Sequence, residues 1–230
     1  IIYDGNEKLS REDISKKLKG NKAEIIIGKL PEDITNQVDL LVISPGVPVD
    51  SPIVEQFKKA EVPVWGEIEL AYNYDKGRII AITGTNGKTT TTALVGQIVK
   101  AYNEKTFVVG NIGNSYTGEV LNTSNDSYTV AEISSFQLET IHKFHPVVSA
   151  ILNITPDHLN RHHTMECYEQ TKEMISFLEK TDISVQHVDN GITFEIVVTV
   201  SKGESYAKVR IANYHTNICL LYTSDAADDL

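Results

Sequence analysis

Residues 83–90 read Thr-Gly-Thr-Asn-Gly-Lys-Thr-Thr, and these residue types suit the binding of a nucleotide's phosphates. Glycines allow the backbone to approach an anion closely, so that successive amide N–H groups point at phosphate oxygens. Lys88 would add a positive charge, and Thr89 a hydroxyl for Mg²⁺. The pattern predicts an ATP-binding loop made of Gly84, Thr85, Asn86, Gly87, Lys88, Thr89 and Thr90. The usual P-loop spacing wants a glycine at position 82, where this chain has Ile82, so a glycine-rich turn with an exposed lysine is the alternative.

Glu132 and His158 carry side chains that bind metals, and each follows an apolar stretch. A carboxylate that ends a buried strand beside a phosphate loop is placed to hold a metal that bridges phosphates. Glu132 could instead cap the helix that follows it. His158 has His162 and His163 close behind it, which leaves a transition-metal site and a solvated loop both open. Lys172, taken alone, is typical of a solvated helix face.

The elements between these residues alternate in type. Apolar runs at 78–83, 105–109, 127–133 and 147–153 predict buried strands, and the stretches 88–102, 135–141 and 164–177 predict helices. This alternation favours a doubly wound α/β domain with a parallel sheet. Ligands of such sheets bind outside the carboxyl ends of the strands, where the candidate residues fall.

The predicted secondary structure differs before and after this domain. Before it, a predicted helix at 11–19 and short apolar runs at 24–28, 40–44 and 62–66 indicate a partial Rossmann-like α/β domain. After it, 192–200 and 206–211 predict an antiparallel β-hairpin joined through 202–204. We therefore expect three parts: a partial N-terminal α/β domain at 1–76, a central ATP-binding domain at 77–177, and an unrelated or chimeric tail at 178–230.

Composition excludes several classes of protein. The 230 residues carry a net charge of −10, which argues against a nucleic-acid partner. With 41% hydrophobic and 23% charged residues, a folded core is expected rather than disorder. No apolar run is long enough to span a membrane, and the two cysteines are 52 positions apart, so we expect a cytoplasmic protein in a reducing compartment.

Up to about residue 177 the chain resembles the Mur ligase family, in its D-glutamate-adding branch. The phosphate loop is shared across that family and its folylpolyglutamate synthase relatives. The branch is indicated by further motifs, which are Ser44-Pro-Gly-Val-Pro48, Gly66-Glu-Ile-Glu-Leu70, Gly110-Asn-Ile-Gly113, Glu132-Ile-Ser-Ser-Phe-Gln-Leu-Glu139 and Asn153-Ile-Thr-Pro-Asp-His-Leu159.

The resemblance implies a role for each matching residue. Lys88 and Thr89 would handle ATP phosphates and one Mg²⁺, and Glu132 with His158 would hold a second Mg²⁺. Lys172 matches a family lysine that CO₂ converts to a carbamate, which would place an anion near the metals. The residues implied to face UDP-N-acetylmuramoyl-L-alanine are Ser44, Pro45, Gly46, Asn111, Ser134 and His158.

The implied reaction is ATP-dependent addition of D-glutamate to UDP-N-acetylmuramoyl-L-alanine through an acyl phosphate. It belongs to peptidoglycan synthesis, by a protein expected to be a monomer. The chain departs from the family at Asn160 and Thr171, and the family's first strand and C-terminal domain are not found in it. The two substitutions are tolerable, whereas the missing C-terminal domain, which binds D-glutamate and closes over ATP in the family, predicts an inactive fragment. The alternatives are a non-catalytic nucleotide-binding remnant and a folylpolyglutamate synthase-like ligase.

Overall fold

The computed structural model describes residues 1–176, 184–189, 194–202 and 205–213. By internal contacts the chain divides into two compact units, Ile1–Leu41 with Pro52–Val64, and Val42–Ser51 with the described residues from Trp65 onward. This is a division by packing, and the domain limits expected from the sequence stay predictions. Within the described residues no helix has the length and apolar character needed to cross a membrane.

The first unit contains two parallel strands and two helices. Strands β1 (Ile2–Asp4) and β2 (Ile25–Ile27) pair from Ile2 opposite Ile25 to Asp4 opposite Ile27. Helix α1 (Arg11–Lys17) lies between these two strands in sequence, and helix α2 (Pro52–Lys59) comes after them. Strands β3 (Leu41–Ile43) and β4 (Val64–Gly66) lie where the chain passes from one unit to the other. The apolar runs at 24–28, 40–44 and 62–66 correctly predict β2, β3 and β4, no prediction covers β1, and the helix expected at 11–19 ends two residues early.

The second unit is built on four parallel strands. They are β5 (Arg78–Thr83), β6 (Thr106–Gly110), β7 (Tyr128–Glu132) and β8 (Val148–Ile151), in the order β6-β7-β5-β8. In a parallel sheet of this order, β5 has β7 on one side and β8 on the other. The loops that follow these three strands therefore meet at one edge, as the sequence predicts.

Alternate residues of the sheet face two separate hydrophobic cores. Ile80 and Ile82 face a core with Val95 of α4 (Lys88–Tyr102), whereas Ile79 and Ala81 face the other core. That second core includes residues of three short helices, which are α3 (Glu67–Tyr72), α5 (Tyr116–Glu119) and α6 (Ser135–Leu138). Helices thus cover both faces, which explains why the strands read as continuous apolar runs.

The remaining elements partly match expectation. The last helices of the second unit are α7 (Leu159–His162) and α8 (Met165–Glu173), and α8 continues into a 3₁₀ turn at Met174–Ser176. The helices expected at 135–141 and 164–177 are therefore shorter, and α3 and α5 are too short for a periodic pattern to show them. The hairpin prediction is confirmed by β10 (Phe194–Lys202) and β11 (Ser205–Asn213), which pair antiparallel, with β9 (Ser184–Asp189) on the other side of β10. Its connecting residues 203–204 lie outside the described residues.

The carboxylate of Glu69 anchors the segment that leads into β8. Glu69 is fully buried in α3, and it accepts backbone hydrogen bonds from His142 (2.8 Å), Lys143 (2.9 Å) and Phe144 (3.1 Å). A buried charge of this kind is stable only when its oxygens are satisfied. The three amides supply that satisfaction and fix the chain between α6 and β8.

Replacing Glu69 tests this anchor. Glu69→Gln would turn an amide NH₂ group toward backbone N–H donors, so we expect a loss of about 2–4 kcal/mol in unfolding free energy. Chemical denaturation measures it, with the exposed Glu166→Gln as the matched control, expected to change stability by less than about 0.5 kcal/mol. Equal stability of the two variants would contradict the anchoring role.

Candidate active site

The phosphate loop joins the end of β5 to the start of α4. Gly84 and Gly87 have φ values of 144° and 81°, in the region that favours glycine, so both are used as the sequence predicts. Lys88 Nζ donates to the carbonyl oxygens of Gly84 and Thr85, each at 2.9 Å. Thr89 and Thr90 are exposed in the first turn of α4. The loop therefore sits at a helix N-terminus with its lysine folded against it.

The segment after β8 clamps this loop from one side. Asn153 accepts from the amide of Asn86 through Oδ1 (2.8 Å) and donates to the Asn86 carbonyl through Nδ2 (2.9 Å). The Thr85 hydroxyl accepts from the Thr155 amide (3.0 Å) and lies 3.1 Å from the Tyr168 hydroxyl. The site prediction does not include Asn153, Thr155 or Tyr168. Asn153 and Thr155 lie in the motif at 153–159, but their contact with the loop depends on β8 lying beside β5, which a single sequence does not reveal.

Glu132 lies at the end of β7, beside the phosphate loop. It pairs in register with Ile82, and it is 1% exposed. Its Oε1 accepts from the side-chain Nδ2 of Asn111 at 3.0 Å, and the backbone N–H of Asn111 donates to the backbone carbonyl of Glu132 at 2.9 Å. Its Oε2 is buried and has no hydrogen-bond partner. One carboxylate oxygen is thus left free to bind a cation.

The alternative interpretation of Glu132 as a helix cap is wrong, because Ser134 caps α6. The Ser134 hydroxyl accepts from the Gln137 amide at 3.3 Å, and the Gln137 side chain accepts from the Ser134 amide at 2.9 Å. This reciprocal capping box satisfies the helix N-terminus without a carboxylate. Glu132 therefore has no structural task that uses both of its oxygens.

Lys172 is buried, which rules out a solvated helix face. It is 1% exposed on α8, and its Nζ donates to the Gly84 carbonyl at 3.0 Å. The ammonium also lies 4.7 Å from the centre of the Tyr168 ring. Burial, and secondarily the positive charge of Lys88, lower the pKa of Lys172 to about 8. Two lysines thus share the carbonyl oxygen of Gly84.

His158 stands apart from these groups. It has a left-handed backbone (φ 52°) just before α7, and its exposed ring lies 4.9 Å from that of Phe136. Its ion-pair contact is with Asp157, at 3.5 Å. Among the described residues no hydrogen bond or ion pair joins His158 to Glu132.

The turn at Ser44–Gly46 borders a cavity of about 350 Å³. The turn follows β3 and is closed by a 2.9 Å bond from the Val47 amide to the Ser44 carbonyl. The cavity is lined by Val42, Ile43, Ser44, Pro45, Glu67, Leu70, Ser115 and Thr117. A largely apolar lining with a few hydroxyl groups is typical of a small-molecule pocket.

Comparison with known families places the chain. Residues 82–219 match the family described as Mur ligase middle domain, and residues 3–66 match the Mur ligase MurD-like N-terminal domain. The chain belongs to the Mur ligase family. The middle-domain match covers the phosphate loop, Glu132, His158 and Lys172.

Curated relatives of this Mur ligase chain carry one name. The UDP-N-acetylmuramoylalanine–D-glutamate ligase of Lachnospira eligens is 80% identical over 176 residues, which are 76% of this chain and 39% of the relative. The protein of the same name from Lachnoclostridium phytofermentans is 60% identical, over 76% of this chain and 39% of its own length. The chain thus spans about two fifths of the length of these relatives.

Solved structures are more distant. A ligase from Neisseria meningitides that acts on UDP-N-acetylmuramate has a TM-score of 0.47 at 15% identity, over 75% of this chain and 58% of that one. This likeness is too remote to carry an argument.

The donor set of the Mur ligase site suits magnesium. Among the described residues there is no group of three or more His, Cys, Asp or Glu side chains that could hold a metal. A cation on Glu132 would take its other oxygens from hydroxyls, water and phosphate, which is how Mg²⁺ binds at nucleotide sites. The buried, unpartnered Oε2 fits such an ion.

The Asn153 clamp gives a prediction for the phosphate loop. Asn153→Ala removes both side-chain bonds to Asn86, so we expect faster amide hydrogen exchange over residues 84–88 and a stability loss of about 1–2 kcal/mol. Mass spectrometry of exchanged peptides measures the first effect and denaturation the second. Asn160→Ala, at an exposed position of α7, is the control. Exchange that stays unchanged in residues 84–88 would contradict the clamp.

Proposed function

We propose that the protein of which this chain is a part joins D-glutamate to UDP-N-acetylmuramoyl-L-alanine at the expense of ATP. The observation that carries the proposal is the free, buried Oε2 of Glu132 beside a glycine-rich loop at a helix N-terminus. The names of the curated relatives support the choice of substrates. The Ser-Ser-Phe-Gln-Leu-Glu segment that starts α6 supports the D-glutamate branch.

The reaction has to bring anions together. A carboxylate is a weak electrophile, so the muramoyl-alanine carboxylate first takes the terminal phosphoryl group of ATP. The amine of D-glutamate then forms the new C–N bond, phosphate leaves, and the amine loses a proton. ATP with Mg²⁺ supplies the phosphoryl group and the charge neutralisation that this transfer needs.

Residues of this chain would provide the binding and the electrostatics. The amides of residues 84–89 and the ammonium of Lys88 would hold the phosphates, which requires Lys88 to leave the carbonyls it now contacts. Glu132 Oε2 would take a metal ion, with the Thr89 hydroxyl placed at the start of α4 for another. Asn111 holds the opposite oxygen of Glu132, and so fixes the direction of the free one.

The substrate side is proposed on the same basis. The turn of Ser44, Pro45 and Gly46 would meet the uridine nucleotide, and Asn111, Ser134 and His158 the muramoyl-alanine part. His158 would reach a second Mg²⁺ only after its exposed ring turns from Asp157 toward Glu132. We therefore expect this half of the site to be completed by the ligands.

Glu132→Gln tests the metal part of the proposal. In the unsubstituted chain we expect Mg²⁺ to raise the affinity for a non-hydrolysable ATP mimic by about tenfold, because the ion joins Glu132 to the phosphates. Glu132→Gln should lose most of that gain and keep the metal-free affinity, because an amide oxygen carries no charge. Isothermal titration calorimetry with and without Mg²⁺ measures both affinities.

The matched control for this experiment is Glu104→Gln, which changes the same functional group in an exposed loop. It should behave as the unsubstituted chain does. An equal magnesium effect in Glu132→Gln would contradict the metal assignment, and Lys88→Ala with undiminished affinity for the mimic would contradict the phosphate loop.

We also propose that Lys172 carries a carbamate. A neutral amine attacks CO₂, an N–C bond forms, and the nitrogen releases a proton, so that a cation becomes an anion. Burial and the nearby Lys88 charge favour the neutral amine that this step requires. The change would also end the repulsion between two ammonium groups that contact one carbonyl, and would add an anionic oxygen ligand for a metal.

Isotope labelling tests the carbamate. After incubation with ¹³C-bicarbonate, the unsubstituted chain should show a carbamate carbon resonance by NMR, and it should strengthen as the pH rises through about 8, because only the neutral amine reacts. Lys172→Arg should lack the signal, and the exposed Lys100→Arg should keep it. A signal that persists in Lys172→Arg would contradict the assignment.

A further inference from the structure

Arg161 is a partly buried arginine that no motif singles out. Its side chain is 12% exposed, on α7. Its Nε and one terminal nitrogen donate to the carboxylate of Glu139, at 3.2 Å and 2.5 Å, and the same terminal nitrogen donates to the Val47 carbonyl at 3.0 Å. The guanidinium carbon lies 4.8 Å from the centre of the Phe136 ring. Nε and this terminal nitrogen thus both donate to protein acceptors.

These contacts join three separate segments of the second unit. Val47 belongs to the turn that begins at Ser44, and Phe136 and Glu139 belong to the α6 segment that begins at Ser134. Arg161 itself lies three residues after His158. One guanidinium thus ties together three of the four segments to which the proposed function assigns the UDP-substrate contacts, the fourth being that of Asn111.

The carboxylate of Glu139 has a second polar neighbour, His162. Glu139 Oε1 is 3.5 Å from Nδ1 of the buried His162, whose Nε2 is 2.9 Å from the Ser135 hydroxyl. Burial lowers the pKa of His162, which favours the neutral ring with one proton. Because a carboxylate only accepts, that proton belongs on Nδ1, and Nε2 accepts from Ser135. Glu139 is therefore fixed from two sides, which fixes the direction of Arg161.

The hydrogen bond from Arg161 to the Val47 carbonyl is not explained by a contribution of the Arg161–Glu139 ion pair to folding stability. A buried ion pair adds little net stability over an apolar pair of similar size. An apolar pair, however, offers no donor to a backbone carbonyl, and lysine lacks the planar fork that bonds a carboxylate and a third acceptor together. The arrangement suits the placement of the 44–48 turn.

We propose that Arg161 is a positioning residue, which holds the turn at 44–48 against α6 and α7 so that both halves of the UDP-sugar substrate are met in one geometry. The inference rests on the proposed function for its choice of substrate. Arg161 acts through Val47 and Glu139, and it does not itself touch the reacting atoms.

The test compares Arg161→Lys and Arg161→Gln with the unsubstituted full chain, and uses the exposed Arg11→Gln as control. Without ligand, we expect amide exchange over residues 44–51 to accelerate by about tenfold in both variants, while β5 and β7 exchange within about twofold of the unsubstituted chain. Affinity for UDP-N-acetylmuramoyl-L-alanine should fall by about tenfold, while affinity for the ATP mimic stays within about twofold. Arg161→Lys keeps the positive charge but lacks the planar guanidinium, so a loss in this variant shows that the guanidinium geometry is required and not the charge alone.

Four results would overturn the inference. The first is unchanged exchange over residues 44–51, and the second is acceleration spread through β5 and β7, which would make Arg161 a general stabilising residue. The third is unaltered UDP-substrate affinity in the variants, which would leave the proposed function standing. The fourth is the absence of UDP-substrate binding by the unsubstituted chain, which would overturn the substrate assignment of the proposed function and this inference with it.

Discussion

A carboxylate oxygen buried without a partner constrains everything around it. Leaving a polar group unsatisfied in a protein interior costs about 1–3 kcal/mol, and more when the group is charged. Glu132 Oε2 is such an atom, while Asn111 occupies the other oxygen of the same carboxylate. A protein keeps that arrangement when a cation completes it. In the proposed function that cation takes further oxygen ligands from the phosphates of ATP, which the loop on the neighbouring strand would hold.

The strand order of the sheet brings Glu132 and the Asn153–Thr155 segment to the two sides of the glycine-rich loop. Since β7 and β8 both pair with β5, the loop after β5 has Glu132 on one side and the Asn153–Thr155 segment on the other. The asparagine clamps the backbone of the loop, and the carboxylate has one buried oxygen without a hydrogen-bond partner. Lys88 and Lys172 both point at the carbonyl of Gly84. Their repulsion is relieved if one moves to a phosphate and the other becomes a carbamate.

Parts of this site could be predicted from residue types and spacing. The glycines at 84 and 87 occupy backbone regions that favour glycine, and the acid at the end of an apolar run is a buried acid at a strand end, because both features are local in sequence. The strand order is not local. Asn153 bonds Asn86 across 67 positions, and Arg161 reaches Val47 across 114. Nothing in either stretch alone indicates its partner.

Besides the strand order, the burial of individual side chains could not be predicted from the sequence. Lys172 lies in a short helix with polar neighbours, and the pattern favours a solvated lysine, yet its ammonium is enclosed by Thr83, Gly84 and Tyr168. The sequence also left open that Glu132 caps α6, whereas in the structure Ser134 is the cap. For Lys172 the deciding contact comes from another element, whereas for Glu132 it is the capping box of Ser134 and Gln137, which lies just beyond it in sequence. The resemblance to Mur ligases supplied roles that these residues do not reveal singly.

The most direct measurement is a crystal structure of the chain with Mg²⁺ and a non-hydrolysable ATP mimic. The account predicts an ion within about 2.1 Å of Glu132 Oε2, bridged to phosphate oxygens that lie against the amides of residues 84–89. Lys88 should then have left the carbonyls of Gly84 and Thr85 for the phosphates. A structure that holds the nucleotide elsewhere, or that shows Glu132 Oε2 bonded to a protein group with no ion beside it, would contradict the account.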